Sequence, residues 1–421
     1  MLDIKLIRED PEAVKTRLAL RHDGSEKFIE GVLAQDEIRR KAETEKQLLQ
    51  AERKKTSKEI GDLRSQGEDA SAVEKEVKKL GNRIKEIEET AQPASRAQDD
   101  LLLNLPNLPY PDCPEGENEE ANPVIRKWGE KPALLKARDH LALSEKHGLL
   151  DFEDAARLSG SGFAVYRGKG ARLQRALINF LLDLQTGPNG YEEVNVPHLV
   201  RRECMEGTGQ LPKFEDDMYG TSDGQFFLAP TAEVPVTNLY RDSILEEDAL
   251  PLKLTAHTPC FRREAGSAGR DNRGLIRLHQ FDKVELVQIV QPEKSFELLE
   301  ELTSHAESAL QKLGLHYRVI ELCTGDLGFS AAKTYDLEVW APGQNDYLEV
   351  SSCSCFGDYQ ARRLKLRFKD SDGNNVLCHT LNGSGTALPR LYVALLEQCQ
   401  TIEGEVRIPE ALQPYYGSET L

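Results

Sequence analysis

The residues best suited to chemistry crowd into one segment, Cys260 to Glu285, where Arg262, Arg263, Arg270, Arg273 and Arg277 share the chain with Gly266, Gly269 and Gly274. Glycines let a backbone come close to a ligand, and guanidinium forks match phosphate oxygens in pairs, so such a segment suits a polyphosphate. Arg262 and Glu264 are two positions apart, which puts both on one side of a strand if the strand continues through them. An arginine beside an acid also reads as an ordinary surface ion pair. A second candidate follows Leu381: glycines 383 and 385 lead into a helix whose apolar positions, Leu388, Leu391, Leu395 and Cys399, repeat at three and four. Pro389 belongs in a first turn. Arg390 then sits near the helix start, where anions are favoured. A buried helix of no special purpose accounts for the same pattern taken alone.

These segments need a scaffold. From about residue 133 onward, β-branched runs alternate with Gly, Pro and Asn, and helices are expected near 171–187, 293–313 and 386–400. Strands close in sequence and joined by short loops predict a mostly antiparallel sheet with helices packed on it, an α+β body. The Gly-rich arginine segment lies between two of the strands. No GxGxxG opening a helix and no GxxxxGK[ST] is present, so neither a dinucleotide-binding unit nor a P-loop is expected.

Residues 27–103 differ in kind, being dominated by Ala, Glu, Lys, Leu, Gln and Arg. Val73, Val77, Leu80, Ile84, Ile87 and Ala91 step by four and three, a heptad seam that asks for a partner helix. The stretch 29–63 is helical by propensity, residues 65–70 have turn composition, and Ser71 with Glu74 reads as a capping box. An antiparallel coiled-coil hairpin is predicted, with Pro93 expected to kink its second helix. Asn104 to about Pro132, rich in proline and then acidic, reads as an extended linker. The expected organisation is therefore 1–103, a linker 104–132, and a body 133–421.

The 421 residues carry a net charge of −17, which argues against a surface that coats nucleic acid everywhere. The sign is not uniform. From Arg53 to Lys85 ten basic residues face six acidic ones, so the hairpin tip is positive while the remainder is more acidic still. A solvated charged face and a grip on a large anion both fit that excess. The most apolar run, Ala176–Leu184, is broken by Asn179 and Asp183, so no membrane span is expected. The N-terminal residues lack an apolar signal region, and the eight cysteines include no CxxC pair. A cytoplasmic protein with reduced thiols is the expectation.

Taken together these segments resemble the class II aminoacyl-tRNA synthetases. Phe261-Arg-Arg-Glu264 is similar to their motif 2, Gly383-Ser-Gly-Thr-Ala-Leu-Pro-Arg-Leu391 to motif 3, and the segment from Gly190 through Pro197 to motif 1 at the dimer interface. Gly207-Thr-Gly-Gln-Leu-Pro-Lys-Phe214, Thr231-Ala-Glu-Val234, His279-Gln-Phe-Asp-Lys-Val-Glu285 and Glu349-Val-Ser-Ser-Cys-Ser354 resemble, more narrowly, bacterial-type seryl-tRNA synthetases. The hairpin resembles that family's tRNA-binding arm.

The resemblance implies activation of L-serine with ATP and transfer to the 3′ end of tRNA(Ser), and leaves open whether tRNA(Sec) is also serylated. It implies ATP contacts at Arg262, Arg263, Glu264, Glu349, Val350, Ser351, Ser352 and Arg390, with Arg262, Glu349 and Arg390 catalytic. It further implies Mg²⁺ at Glu349 and Ser352, whose oxygens suit that ion. Positions three apart fall on opposite faces of a regular strand, so this one must end or distort there. Serine recognition is implied at Thr231, Ala232, Glu233, Glu285, Asn382 and Ser384. Contacts to tRNA are implied at Arg53, Lys54, Lys55, Lys58, Lys75, Lys78 and Lys79 of a homodimer. His279 is expected to be structural, and Cys353 and Cys355 are not expected to bind zinc, having no matching Cys/His pairs. Two other readings remain: a ligase acylating a carrier protein, which would lack the full hairpin, and a non-catalytic interaction protein built on the coiled coil.

Overall fold

Between Ile29 and Leu103 little in the sequence resists a helix, and two long ones form. In the computed structural model, which describes residues 1–134, 136–265 and 274–421, short helices α1 (Ile4–Glu9) and α2 (Pro11–Ala19) precede α3 (Ile29–Ser65) and α4 (Ser71–Leu103). The 37 residues of α3 span about 55 Å at 1.5 Å per residue. Arg64 pairs with Glu74 near the turn, Lys46 with Glu88 farther down, and Arg39 reaches Gln98 at the base. The two helices are therefore antiparallel. Leu80, Ile84 and Ile87 are buried as the seam requires, and the stripe continues through Ala94, Gln98 and Leu102.

One local expectation is corrected here. Ser71 does not cap α4. The Asp69 carboxylate accepts the Ser71 N–H at 3.0 Å and also its hydroxyl, and Glu74 turns to Arg64 instead. Asp69 thus takes the N–H that a capping box would give to the Glu74 carboxylate. Helix α4 continues through Pro93, which stands on its exposed side.

The chain divides into two compact units: Leu2–Ala19 with Asp23–Leu105, and Met1, Leu20–His22 and Pro106–Leu421. The second unit holds an eight-stranded sheet. Its strands are β1 (Val124–Trp128), β2 (Glu192–Glu193), β3 (Leu252–Phe261), β4 (Gln280–Val290), β5 (Tyr317–Glu321), β6 (Lys333–Ala341), β7 (Asp346–Gly357) and β8 (His379–Ala387). They are ordered β1-β5-β6-β7-β8-β4-β3-β2, and every pairing but β2 with β3 is antiparallel. The segment 104–132, expected to be a linker, is extended but docked. Leu105 to Pro109 are buried, Asn107 donates to Ser330 O and Phe356 O, and β1 forms an edge of the sheet. Its prolines disfavour a long helix, and Asn107 finds partners on the body.

Helices α6 (Lys169–Thr186), α8 (Ser295–Lys312) and α9 (Leu388–Gln398) cover the sheet, following the short α5 (His140–His147) and joined by α7 (Glu233–Asn238). Leu173 and Leu177 of α6, Leu302 of α8 and Leu391 of α9 share one core with Leu286, Leu337 and Cys353 of the strands. In β4 every residue from Lys283 to Val290 is buried, which is why the alternation of a half-exposed strand is absent there.

Candidate active site

A cavity of about 720 Å³ opens over β4, β7 and β8. Ten of the residues singled out from sequence line it: Thr231, Glu233, Arg262, Glu264, Glu349, Val350, Ser352, Asn382, Ser384 and Arg390. Ala232, Glu285 and Ser351 are fully or almost fully buried and are not among the lining residues. Arg263 is exposed, and its N–H donates to Asp217 O at 2.8 Å, so the structure does not bring it into the cavity. Arg270 and Arg273 lie outside the described residues.

Arg262 and Glu264 do not share a strand, contrary to the parity argument. Strand β3 ends at Phe261, opposite Gln280, and Glu264 has a left-handed backbone with φ 52°. Arg262 N–H still donates across the hairpin to His279 O at 2.9 Å, and the chain turns where Arg263 N–H leaves for Asp217. His279 Nδ1 donates back to Arg262 O at 3.0 Å, while its ring stacks on Phe163. The histidine thus holds the arginine's backbone. The Arg262 guanidinium donates to Pro230 O at 3.3 Å and lies 5.2 Å from the Phe281 ring centre. Glu264 is ion-paired with Arg277.

Strand β7 distorts where the spacing required it. Leu337 pairs with Ser351 and Glu338 with Glu349, leaving Val350 as an extra residue. That bulge brings Glu349 and Ser352 to the same cavity. Ser351 points elsewhere, its hydroxyl donating to Ser384 O at 2.6 Å. Arg390, third residue of α9, donates to Glu349 O at 2.9 Å, to Glu349 Oε2 at 3.2 Å and to Ile276 O at 3.2 Å.

A polar knot is buried beside these groups. Glu285 is wholly buried; it accepts from Thr231 Oγ1 at 2.7 Å and from Asn382 Nδ2, and is ion-paired with Lys283. Lys283 also donates to Thr231 Oγ1 at 3.0 Å. Asn382 and Ser384 reach the cavity because the intervening Gly383 faces the other way, against Leu302 of α8. A Cβ there would lie 2.3 Å from a Leu302 methyl. Burial pushes the Glu233 carboxyl up to about 7, although Gln360 Nε2 donates to it at 2.6 Å.

The geometry is matched by likeness. Residues 213–399 fit the tRNA synthetase class II core domain (G, H, P, S and T), and residues 1–109 fit the seryl-tRNA synthetase N-terminal domain. The serine--tRNA ligase of Akkermansia muciniphila is 66% identical over 421 residues, spanning 100% of this chain and 99% of the relative. The chain belongs to the seryl-tRNA synthetase family. The serine--tRNA ligase of Methylacidiphilum infernorum is 51% identical over 100% of both chains. The crystal structure of seryl-tRNA synthetase from Pyrococcus horikoshii complexed with ATP has a TM-score of 0.93 at 38% identity, covering 100% of this chain and 99% of that one.

Reading the sequence as a synthetase did not single out every residue of the site. Lys283 had a usable signal, standing two positions before Glu285 on a strand and so on its face. Gln360 had none, since only the fold carries its helix to Glu233. Nor did the cavity wall at Gly328–Ala331. It is braced by Arg21, which donates to Asn107 O at 2.6 Å, Leu327 O at 3.0 Å and Ala331 O at 2.5 Å. The tRNA candidates Arg53, Lys54, Lys55, Lys58, Lys75, Lys78 and Lys79 are all exposed on α3 and α4. Gln50, Arg53, Lys54 and Ser57 line a shallow recess on one face of α3. No helix of the described residues is long and apolar enough to cross a membrane.

Proposed function

We propose that this chain activates L-serine with ATP and transfers the seryl group to the 3′ end of tRNA(Ser). The observation that carries the reading is that Arg262 and Arg390, 128 positions apart in sequence, line one cavity with the knot around Glu285. ATP lies along the two arginines, with its α-phosphate at Arg262, its far phosphates at Arg390, and its adenine amino group at Glu264. Serine sits with its carboxylate at Arg262 and its ammonium and hydroxyl among Thr231, Glu233, Asn382, Ser384 and the Glu285 carboxylate. One serine carboxylate oxygen attacks the α-phosphorus as diphosphate departs, and the fixed guanidinium stabilises the charge that builds on the phosphate.

Serine is selected because a buried acceptor left unpaired costs about 1–3 kcal/mol, which alanine and glycine incur by lacking the hydroxyl. Threonine must be refused by space. Glu349 and Ser352 fit Mg²⁺: the Val350 bulge brings a carboxylate and a hydroxyl to one wall, an all-oxygen pair of the kind the ion prefers. When bound there, the ion neutralises phosphate charge. The hairpin, through Arg53, Lys54, Lys55, Lys58, Lys75, Lys78 and Lys79, holds the tRNA backbone by charge and shape. The match of residues 1–109 supports this over a carrier-protein ligase. Exposed Pro197 and Leu199 support a homodimer that pairs through this region.

ATP–diphosphate exchange with a panel of amino acids tests the reading. Exchange is expected with serine and is expected to vanish in Arg262→Ala. The absence of serine-dependent exchange in the unaltered protein would eliminate it.

A further inference from the structure

Helix α9 grips the return limb of the Gly-rich segment at two points. At its first turn Arg390 Nε donates to Ile276 O. Seven residues on, close to the same face of the helix, Glu397 is wholly buried. Its Oε1 accepts the His140 N–H at 2.9 Å and Gln344 Nε2 at 3.1 Å and lies 3.3 Å from His140 Nδ1, and its Oε2 accepts the Gly343 N–H at 2.8 Å. The far edge of the buried His140 ring faces the segment itself, where Leu275 N–H donates to Nε2 at 3.3 Å. That bond requires Nε2 to be unprotonated, so Nδ1 carries the hydrogen toward Glu397. Gly274, at φ +68°, packs so closely that a Cβ would fall 2.1 Å from Nε2. Leu275 and Ile276 line the cavity, and Arg277 beside them holds Glu264.

We propose that His140 and Glu397 are a positioning pair for ATP, setting where the return limb lies against Arg390 and therefore the shape of the nucleotide end of the cavity. The proposal rests on the reading that ATP occupies that end. The geometry singles out nucleotide affinity because the limb touches Arg390 and Glu264, whereas the knot at Thr231, Lys283 and Glu285 is built without it.

Two substitutions separate positioning from mere packing. His140→Asn keeps a donor near the Nδ1 place and loses the acceptor for Leu275; His140→Gln reaches the Nε2 place with an amide oxygen. In serine-dependent exchange, His140→Asn is expected to raise KM for ATP about tenfold, the worth of one buried hydrogen bond, with KM for serine little changed. His140→Gln is expected to restore KM for ATP. Hydrogen exchange of the Leu275 amide, measured without substrates, is expected to quicken in the Asn variant and to recover in the Gln variant. Equal shifts of both KM values, or an unmoved KM for ATP, would overturn the proposal. Should His140→Asn not fold, Glu397→Gln is expected to show the same split, and its absence counts equally against the pair. If the unaltered protein shows no serine-dependent exchange, the ligase reading fails by itself, and an unmoved Leu275 amide would then remove the anchor as well.

Discussion

Ser352 and Asp336 face each other across β7 and β6, one register position beyond the bulge that aligns Ser352 with Glu349. The Ser352 hydroxyl acts on the Asp336 carboxyl opposite it to lower its pKa, and Asp336 Oδ1 is buried without a hydrogen-bond partner. Burial, and after it the neighbouring Glu349, hold that carboxyl well above the usual carboxylate range. A serine whose hydrogen is directed to one neighbour presents its lone pairs to another, which is how an outer group orients a metal ligand.

The magnesium requirement should therefore depend on three residues rather than two. Glu349→Gln and Ser352→Ala are expected to raise the Mg²⁺ concentration for half-maximal exchange about 10–100-fold, and Asp336→Asn to raise it measurably through Ser352. Ser351→Ala, whose hydroxyl serves Ser384 O, is expected to leave the requirement alone. A magnesium titration of exchange, with Mn²⁺ binding followed by electron paramagnetic resonance, checks both. An unchanged titration in Ser352→Ala would contradict the assignment.

Thr231 Oγ1 donates to Glu285 and accepts from Lys283. Thr231→Val keeps the shape and removes both bonds. It leaves Lys283 and Glu285 paired with each other, so the fold should survive, while KM for serine rises about 5–150-fold, corresponding to 1–3 kcal/mol. KM for ATP should stay put. Glu285→Ala is harsher: stranding the buried Lys283 ammonium should cost about 3–5 kcal/mol of stability, visible as a lowered denaturant midpoint.

Glu233 supplies a pH dependence. Its carboxyl is pushed up to about 7 by burial, with Glu285 adding to the rise and Gln360 opposing it. A raised carboxyl means that folding disfavours the ion. The penalty is absent below about pH 4.5, grows as pH climbs to about 7, and is constant above. In that window Glu233→Gln should become progressively more stable than the unaltered protein, by about 3 kcal/mol at pH 8. If the carboxylate meets the serine ammonium, kcat/KM for serine should fall below pH 7 in the unaltered protein and lose that limb in Glu233→Gln. A pH profile identical in both proteins would remove Glu233 from serine recognition.

Some of this arrangement could be read before any coordinates. The heptad spacing from Leu80 to Ile87 specified a partner helix because a 3.5-residue repeat has few other uses. The Glu349–Ser352 spacing demanded a break in the strand, and the bulge at Val350 supplies it. What stayed hidden depended on competition or on long-range placement. Asp69 took the Ser71 N–H that Glu74 would have accepted, and Arg64 drew the Glu74 carboxylate to itself. The parity of Arg262 and Glu264 failed because Arg263 N–H leaves the hairpin for Asp217 O and Glu264 takes a left-handed backbone. Gln360, Arg21 and Glu397 carried no local signal at all, since each matters only through groups brought to it by the fold.

The hairpin makes the widest separation of activities. Its cluster from Arg53 to Lys58 sits on α3 and that from Lys75 to Lys79 on α4, on either side of the turn at Gly67, where α3 ends and the backbone turns left-handed. Arg53 and Lys54 edge the shallow recess with Gln50 and Ser57, which is one face at helical spacing. If these side chains neutralise phosphates, changing Arg53, Lys54 and Lys58 together to Gln should flatten the dependence of log affinity for tRNA on log salt, by about 0.9 for each duplex phosphate no longer neutralised. Serine-dependent exchange should be unaffected, because the cavity lies wholly within the unit beginning at Pro106 with Leu20–His22. Replacing residues 27–103 with a short Gly/Ser turn should likewise preserve exchange and abolish tRNA charging. Arg21, which braces the cavity wall at Leu327 and Ala331, remains in that deletion. Removing Arg21 as well should then impair exchange, so a folded deletion that loses exchange while keeping Arg21 would contradict the division of labour between hairpin and body.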